Sequence, residues 1–366
     1  MTAHKSDFYF IGGVFVLLIF GLLMLFSASS PESYNIFNNP YYFIKQQILQ
    51  GVIPGLILFF VFSKIDFNWW QKIAKPFFAF SLLLLILVLI PGVGGDFGTA
   101  RSWFSIFGHS FQPSELTKLA LVIFLAAWLA KIDKEEFNDW QKTLLPFLLV
   151  LGAVGFLLVK QPDLGTFSVL YLICIVIYFL AGGKILHLAG ILLASAGGFI
   201  GLICMSSYRA KRILAFLNPD QDALGISYHI NQALLAIGSG GFLGLGWGHS
   251  RQKFQYLPEV SADSIFAIIG EELGFLICVF FLALLVFIFW RGLKIAQKAP
   301  NKFGQLLTAG IVTWFIGQSF LNIGAMVGLL PLTGVPLPLV SHGGTAMVIM
   351  LAAFGIVVSV SKQTKN

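Results

Sequence analysis

A succession of long apolar runs constrains this chain more than any other feature. The 366 residues contain about ten such runs, several of them completed by flanking Gly, Ser or Gln residues. A helix rises about 1.5 Å per residue, so about 20 apolar residues cross the roughly 30 Å hydrocarbon core of a bilayer. Backbone polar groups within that core must be paired inside the protein, which makes each run a helix. The predicted spans are residues 8–26, 48–62, 77–90, 119–130, 144–159, 167–180, 185–204, 265–290, 306–330 and 346–360.

We therefore predict a single all-α domain, residues 1–366, that forms a polytopic membrane protein with about ten transmembrane helices. The composition agrees, because 11% of the residues are charged whereas soluble domains have about 25%. The net charge of +7 does not indicate a nucleic-acid partner, because the basic residues are scattered between the apolar runs. Lys and Arg are more frequent in the short loops on the N-terminal side of the membrane, which predicts that both termini are cytoplasmic.

Two segments on the predicted outer side are long enough to hold a functional site. The longer one runs from about residue 205 to 263, between the seventh and eighth spans, and loops of this length are usually functional. Within it, residues 228–237 are typical of a helix in the membrane interface, and the Gly-rich stretch 238–248 fits no nucleotide-binding pattern. We predict a structured re-entrant or interfacial segment there. The shorter loop covers about residues 91–112.

Acidic and basic side chains are scarce, so those near the predicted outer helix ends are candidate functional residues. Glu115 and Lys118 open the fourth span and share a helical face, either as a local ion pair or as the lining of a polar cavity. Asp163 precedes the sixth span, where it either caps the helix or faces the cavity. Glu259 and Asp263 close the long loop, and Asp263 is either a helix cap or a general base.

Basic residues on the predicted outer side form a further group. They are Arg101 in the shorter loop and Arg209, Lys211 and Arg212 at the start of the longer one. Arg binds phosphate through a planar fork and Lys binds it as a point charge, so a phosphate-bearing ligand or anionic lipid headgroups would suit them. A metal site is not indicated, because the histidines form no H-x-x-x-H pair and the three cysteines no C-x-x-C pair.

Six short motifs follow one another along nearly the whole chain. They are Q-P-S-E at 112–115 with Lys118, Q-P-D-L-G-T at 161–166, N-P at 218–219, A-I-G-S-G-G at 236–241, I-I-G-E-E-L-G at 268–274, and G-V-P-L-P-L-V-S at 334–341 followed by G-G at 343–344. In this order they resemble the SEDS family of bacterial membrane proteins (shape, elongation, division and sporulation), which includes FtsW, RodA and SpoVE. Residues 250–259 are most similar to the FtsW and SpoVE branch.

The resemblance implies a ten-span peptidoglycan glycosyltransferase. It would polymerise lipid II, a disaccharide-pentapeptide on undecaprenyl pyrophosphate, into β-1,4 glycan strands outside the bacterial cytoplasmic membrane, during division at the septum or during elongation. The family's proposed catalytic aspartate corresponds to Asp263, which would accept the proton of the acceptor's 4-hydroxyl. The basic residues above, with Lys118, would stabilise the lipid diphosphate, and Glu115, Asp163 and Glu259 would line the same site.

The resemblance also implies partners and a candidate cofactor. The partners are lipid II, membrane lipids, a class B penicillin-binding protein that acts as transpeptidase, and other division or elongation proteins. Magnesium or manganese is the candidate cofactor, although no ligand set is readable in the sequence.

The chain departs from the family next to the proposed base. A His-Thr pair commonly precedes that aspartate and Phe follows it, whereas this chain has Ser261, Ala262 and Ser264. His342 likewise stands where Tyr is frequent. Two other functions compete with the polymerase: a lipid II flippase, and a non-catalytic scaffold for the penicillin-binding protein. A flippase is expected to carry comparable polar groups on the inner side, and a scaffold has no need of Asp263.

Overall fold

The computed structural model describes residues 6–92, 94–97, 100–106, 109–133, 135–204, 216 and 227–364. These residues form a helical bundle with one small sheet. The helices, in chain order, are α1 (Phe8–Phe37), α2 (Tyr42–Gln47), α3 (Ile53–Lys64), α4 (Phe67–Leu87), α5 (Pro113–Leu129), α6 (Leu144–Lys160), α7 (Leu164–Ala181), α8 (Ile185–Cys204), α9 (Tyr228–Gly240), α10 (Ile265–Gln297), α11 (Lys302–Met326) and α12 (Gly344–Ser361). A π-helical turn, Ile48–Val52, joins α2 to α3, so these two helices act as one span.

The bundle confirms the predicted class, a polytopic membrane protein built of helices. In the described part of the chain, seven helical segments are long and apolar enough to cross a bilayer: α1, α2–α3, α4, α7, α10, α11 and α12. Helices α5, α6 and α8 lie at the positions of the other three predicted spans. Helices α5, α7, α10 and α12 all begin at the end of the bundle that carries Asp263, which we call the Asp263 end.

Several helices are longer than their apolar runs. Helix α4 begins at Phe67, ten residues before the predicted start, because the Asp66 side chain accepts a hydrogen bond from the Asn68 backbone N–H at 2.9 Å and caps it. Helix α1 continues past its apolar run to Phe37 and carries Glu32 in its last turns. A count of apolar residues misses such polar terminal turns, since they reach beyond the hydrocarbon core.

A three-stranded antiparallel sheet occupies the shorter loop, where the sequence indicated only a Gly-rich connection. Its strands β1 (Gly95–Phe97), β2 (Ala100–Ile106) and β3 (His109–Phe111) lie in the order β1-β2-β3. In the second hairpin, Phe104 pairs with Phe111 and Ile106 with His109. The sheet lies at the Asp263 end, directly before α5.

The core centres on α11 and α12, since 83% of the most apolar stretch of each is buried. Helix α12 packs closely against α3 through two glycines. A Cβ atom at Gly355 would lie 2.5 Å from the Phe59 carbonyl oxygen, and one at Gly55 would lie 2.7 Å from Leu351 Cδ1. Larger residues at these positions would push the helices apart, which explains small residues at this contact.

Helix α10 contains a break at Gly274, where φ is 75°. The Gly-rich stretch after α9 runs alongside this break and supplies the backbone partners that the helix loses. The Phe275 N–H donates to the Gly241 carbonyl at 3.0 Å, and the Gly246 N–H donates to the Glu272 carbonyl at 2.9 Å. A Cβ atom at Gly244 would lie 2.2 Å from the Glu272 carbonyl oxygen, so the close approach needs glycine. The stretch is thus a structural clamp on α10.

Candidate functional site

Asp263 lies in the turn that leads into α10. Ser264 is the N-cap residue of the helix, so Asp263 stands one residue outside it. The Ser264 hydroxyl donates to the Pro258 carbonyl at 2.7 Å and lies 2.6 Å from Nε2 of His229 on α9. Because the hydroxyl hydrogen is already used, His229 is the donor in that contact. This pair of bonds holds the turn on which Asp263 sits.

An extended segment, residues 327–343, covers Asp263 from the other side. Asn322 of α11 donates one amide hydrogen to the Asp263 carbonyl at 2.7 Å and the other to the Val335 carbonyl at 2.8 Å. At Gly334, a Cβ atom would lie 3.9 Å from Oδ2 of Asp263, so this carboxylate faces the segment. The His342 N–H donates to the Ser261 carbonyl at 2.7 Å. The turn and the extended segment are therefore one hydrogen-bonded unit.

Glu115 and Lys118 form a buried ion pair within the bundle. Their charged atoms are 2.7 Å apart, and the side chains are 2% and 0% exposed. Lys118 Nζ also donates to Gln318 Oε1 at 2.8 Å and lies 5.1 Å from the centroid of the Trp314 ring. The Gln318 amide in turn donates to the Pro336 carbonyl at 2.8 Å. The pair is thus linked through Gln318 to the extended segment. Its contact with substrate stays a prediction.

Asp163 caps α7 and also lies near the extended segment. Its Oδ1 accepts the Thr166 N–H at 3.0 Å, and its Oδ2 is 3.5 Å from Nε2 of Gln112. The first turn of α7 contacts the segment, since a Cβ atom at Gly165 would lie 2.3 Å from the Thr333 carbonyl oxygen. Asp163 and Asp263 therefore flank the same short stretch of backbone. The capping alternative has direct geometric support, while the cavity role stays a prediction.

The remaining predicted residues differ in how far the structure describes them. Glu259 is exposed and has a left-handed backbone with φ of 49°, in the turn before Asp263. Arg101 is a residue of strand β2. The other three basic residues lie outside the described part of the chain, and they are Arg209, Lys211 and Arg212.

A cavity of about 550 Å³ opens next to Ala262, between the sheet, the α2–α3 connection and the start of α12. Its polar lining is uncharged, and Trp103 adds an aromatic surface. The polar lining residues are Gln46, Gln47, Gln50, Ser110, His342 and Thr345. Burial lowers the pKa of His342, so the imidazole is neutral at neutral pH. Uncharged donors and acceptors around an aromatic ring suit a neutral, hydroxyl-rich ligand better than an anion.

A second buried ion pair lies deeper, where the Gly-rich stretch meets α10. Lys253 Nζ is 2.8 Å from Glu272 Oε1 and 3.2 Å from the Ser27 hydroxyl of α1. Glu271 accepts the Arg251 N–H at 2.9 Å and a hydrogen bond from the Ser250 hydroxyl. These carboxylates tie the end of the long loop to α10 and α1, below the Asp263 turn.

Sequence reasoning missed the amides and one carboxylate of the site. Gln47, Gln318 and Asn322 are each 1% exposed, and each holds the extended segment. An amide inside an apolar run is costly unless it is paired, and that signal was available in the sequence. Glu32 of α1, whose Oε2 accepts from the Ser261 hydroxyl at 3.3 Å, was hidden because it follows the first apolar run.

The predicted divalent cation has no protein ligand set in the residues described. Among them, no three His, Cys, Asp or Glu side chains come close enough together to hold a metal ion. The residues that the structure describes therefore do not fit a resident metal, and no chemical step is assigned to one.

Comparison with known proteins identifies the family. The family model for FtsW, RodA and SpoVE, described as "Cell cycle protein", matches residues 8–366. The chain belongs to this family. Stage V sporulation protein E of Bacillus subtilis is 39% identical over the full length of both chains. A protein of Trichlorobacter lovleyi named probable peptidoglycan glycosyltransferase FtsW is 38% identical over 96% of this chain and 92% of its own.

Solved structures of the FtsW/RodA/SpoVE family share the fold. A chain from a peptidoglycan synthase complex, whose structure concerns the coordination of polymerization and crosslinking, has a TM-score of 0.82 at 28% identity and covers 98% of both chains. RodA of Thermus thermophilus has a TM-score of 0.71 at 27% identity, covering 99% of this chain and 98% of its own. The family predicted from the six motifs is thus confirmed.

Proposed function

We propose that this protein is a peptidoglycan glycosyltransferase that polymerises lipid II into β-1,4 glycan strands. The observation that carries the proposal is the placement of Asp263, outside the α10 helix and clamped by Asn322 against the extended segment. A carboxylate with a fixed backbone, next in the chain to the cavity-lining Ala262, is suited to accept a proton. Relatives at 35–38% identity are named probable peptidoglycan glycosyltransferases, which supports the same activity.

The reaction assigns one role to Asp263. Its carboxylate accepts the proton of the acceptor sugar's 4-hydroxyl as that oxygen attacks the anomeric carbon of the lipid-linked donor. The new bond joins this oxygen to the anomeric carbon, and the bond between that carbon and the diphosphate oxygen breaks. The diphosphate leaves on its lipid with the bonding electrons, so it needs nearby positive charge more than a proton donor. Arg101, Arg209, Lys211 and Arg212 are the residues we propose for that charge.

The other predicted residues act around this centre. The cavity beside Ala262 has the neutral polar lining that suits a sugar, and we propose that it holds a hexose of the substrate. We propose that Glu259, on the turn before Asp263, and Asp163, at the start of α7, lie near the bound substrate. We propose that Glu115 and Lys118 act through Gln318 on the extended segment, since both are buried. They are positioning residues in this account.

The proposed setting is the bacterial cytoplasmic membrane, at the division septum or the elongating wall. Both termini then lie in the cytoplasm and the Asp263 end faces outward, as the distribution of Lys and Arg predicts. We propose a class B penicillin-binding protein as partner, because a chain of the same fold belongs to a complex that coordinates polymerization with crosslinking. Helix α10 offers surface for such a partner or for lipid, since only 28% of its most apolar stretch is buried.

Incubation of the purified protein with labelled lipid II tests the activity, alone and together with its cognate class B penicillin-binding protein. The expected product is a ladder of glycan strands that the penicillin-binding protein alone does not make. Absence of glycan under both conditions would overturn the proposal. A parallel measurement of labelled lipid II crossing liposome membranes distinguishes the flippase from the scaffold. Repeating the polymerisation with a chelator, with magnesium and with manganese measures whether a cation carried by the diphosphate assists.

A further inference from the structure

A second cavity, with a charged lining, lies at the end of the bundle opposite Asp263. It has a volume of about 500 Å³ and is formed where α1 begins and where α10 and α12 end. Its charged lining residues in the described chain are Arg291, Lys294 and Lys298 against one carboxylate, Asp7. The lining therefore carries an excess of two positive charges at neutral pH.

Arg291 is fixed in this cavity with unused hydrogen-bonding capacity. Its guanidinium pairs with Asp7, whose other oxygen caps α1 by accepting the Phe10 N–H at 2.9 Å. The Nε–H of Arg291 is buried and has no hydrogen-bond partner among the described residues. The guanidinium also stacks near Tyr9, 5.1 Å from the ring centroid. The side chain as a whole is 21% exposed, so the fixed guanidinium can present its exposed N–H groups to a phosphate oxygen.

The depth of the cavity matches a lipid headgroup. Arg291 lies 17 residues after the break at Gly274, which is about 26 Å along the continuous part of α10 and close to the roughly 30 Å thickness of the hydrocarbon core. Tyr9 and Trp290 next to it are 70% and 46% exposed, as is typical of aromatic residues at a membrane interface. Lys294 Nζ lies 3.5 Å from the centroid of the Trp290 ring, at the same level.

We propose that this cavity binds the phosphate of an anionic phospholipid headgroup. Arg291 contributes the directional hydrogen bond, and Lys294 and Lys298 contribute charge from the same face of α10. The bound lipid would add a further link between the ends of α1, α10 and α12, which already meet at Asp7. Its carboxylate pairs with Arg291, and its N–H donates to the Ser361 hydroxyl at 3.2 Å. The inference does not depend on the glycosyltransferase activity.

Native mass spectrometry of the full-length protein titrated with phosphatidylglycerol tests the site. We compare wild type with the double variant Lys294→Gln/Lys298→Gln, which leaves the partly buried Arg291–Asp7 pair in place. The matched control is Lys72→Gln/Lys75→Gln, which removes the same charge from exposed positions on α4 at the same end of the bundle. Size-exclusion chromatography confirms that each variant is folded.

We expect the cavity variant to bind phosphatidylglycerol at least about fivefold more weakly than wild type, and the control variant to bind it as wild type does. Equal losses in the two variants would show only general attraction to anionic lipid and would overturn the proposal. Unchanged binding in the cavity variant, or equal binding of phosphatidylcholine by wild type, would overturn it as well. Displacement of the lipid by inorganic phosphate alone would overturn the assignment to a lipid headgroup.

Discussion

Replacement of Lys118 by Met tests whether this residue is part of the internal framework. Lys118 is 0% exposed and bonds Glu115 at 2.7 Å and Gln318 at 2.8 Å. Met preserves the length of the side chain but leaves the Glu115 carboxylate buried without its cation. Breaking a buried ion pair in this way costs about 3–5 kcal/mol. We therefore expect Lys118→Met to lower the stability of the folded protein by that amount.

Thermal unfolding in detergent, followed with a thiol-reactive fluorophore, measures this loss. The assay suits the chain because Cys174 and Cys278 are buried and become reactive on unfolding. Unfolding entropy of about 2.1 cal/mol/K per residue makes a loss of 3–5 kcal/mol correspond to a fall in the midpoint of about 4–7 °C for a chain of 366 residues.

Two control variants separate the buried pair from a general effect of losing a lysine. Glu115→Gln/Lys118→Met should recover most of the loss, because no buried charge is left unpaired. Lys142→Met removes a lysine that is 68% exposed and 3.6 Å from Asp139, so the midpoint should barely move. A Lys118→Met protein that unfolds at the wild-type temperature, yet makes no glycan, would refute the reasoning and favour a direct substrate contact.

Three further predictions follow from the contacts around the site. Asn322→Leu leaves two backbone carbonyls without their hydrogen-bond donor, one of them that of Asp263, at a cost of about 1–3 kcal/mol each. The initial rate of glycan synthesis by the folded variant should fall at least tenfold. An unchanged rate would contradict the positioning role of Asn322. Gly274→Ala places a Cβ atom 2.2 Å from a backbone nitrogen at a φ of 75°, so its unfolding midpoint should fall clearly, whereas Gly152→Ala on α6, with nothing within 4 Å, should match wild type. Burial lowers the pKa of His342, so the unfolded chain binds more protons than the folded one below about pH 6.5. The thermal unfolding midpoint should therefore fall as the pH decreases from 7.5 to 5.5. An equally steep fall in a His342→Gln variant would contradict this.

The apolar runs predicted the polytopic membrane class because the bilayer leaves few alternatives to a helix, and seven helical segments of the described chain are long and apolar enough to span it. They misplaced helix ends, as at Phe67, because a polar cap such as Asp66 extends a helix beyond its apolar core. The sheet could not be predicted from the Gly-rich loop, since its short strands carry no strong alternation. A feature formed within one helix, such as a membrane span, could be predicted from the sequence. A feature that needs pairing between separate segments, such as the sheet, could not.

The candidate site shows the same division. The spacing of Glu115 and Lys118 predicted a shared face, and the structure places them in one ion pair. Their full burial depends on Gln318, which lies 200 residues further along the chain, so the sequence alone left the cavity alternative open. Asp263 was identified as the candidate base from its position before a span and from the resemblance to the family. The hydrogen bond from Asn322 to the Asp263 carbonyl joins residues 59 positions apart, so it could be seen only in the structure.

The most direct test of the proposed chemistry is the rate of lipid II polymerisation by Asp263→Asn. Asn keeps the shape of the side chain and the backbone bond to Asn322, but it cannot accept the proton of the acceptor hydroxyl. The control is Asp139→Asn, which removes a carboxylate that is 42% exposed in the connection between α5 and α6, away from the Asp263 end. With both variants shown to be folded, we expect Asp263→Asn to lose at least about a hundredfold in rate and Asp139→Asn to retain the wild-type rate. Glycan synthesis by Asp263→Asn at the wild-type rate would contradict the account.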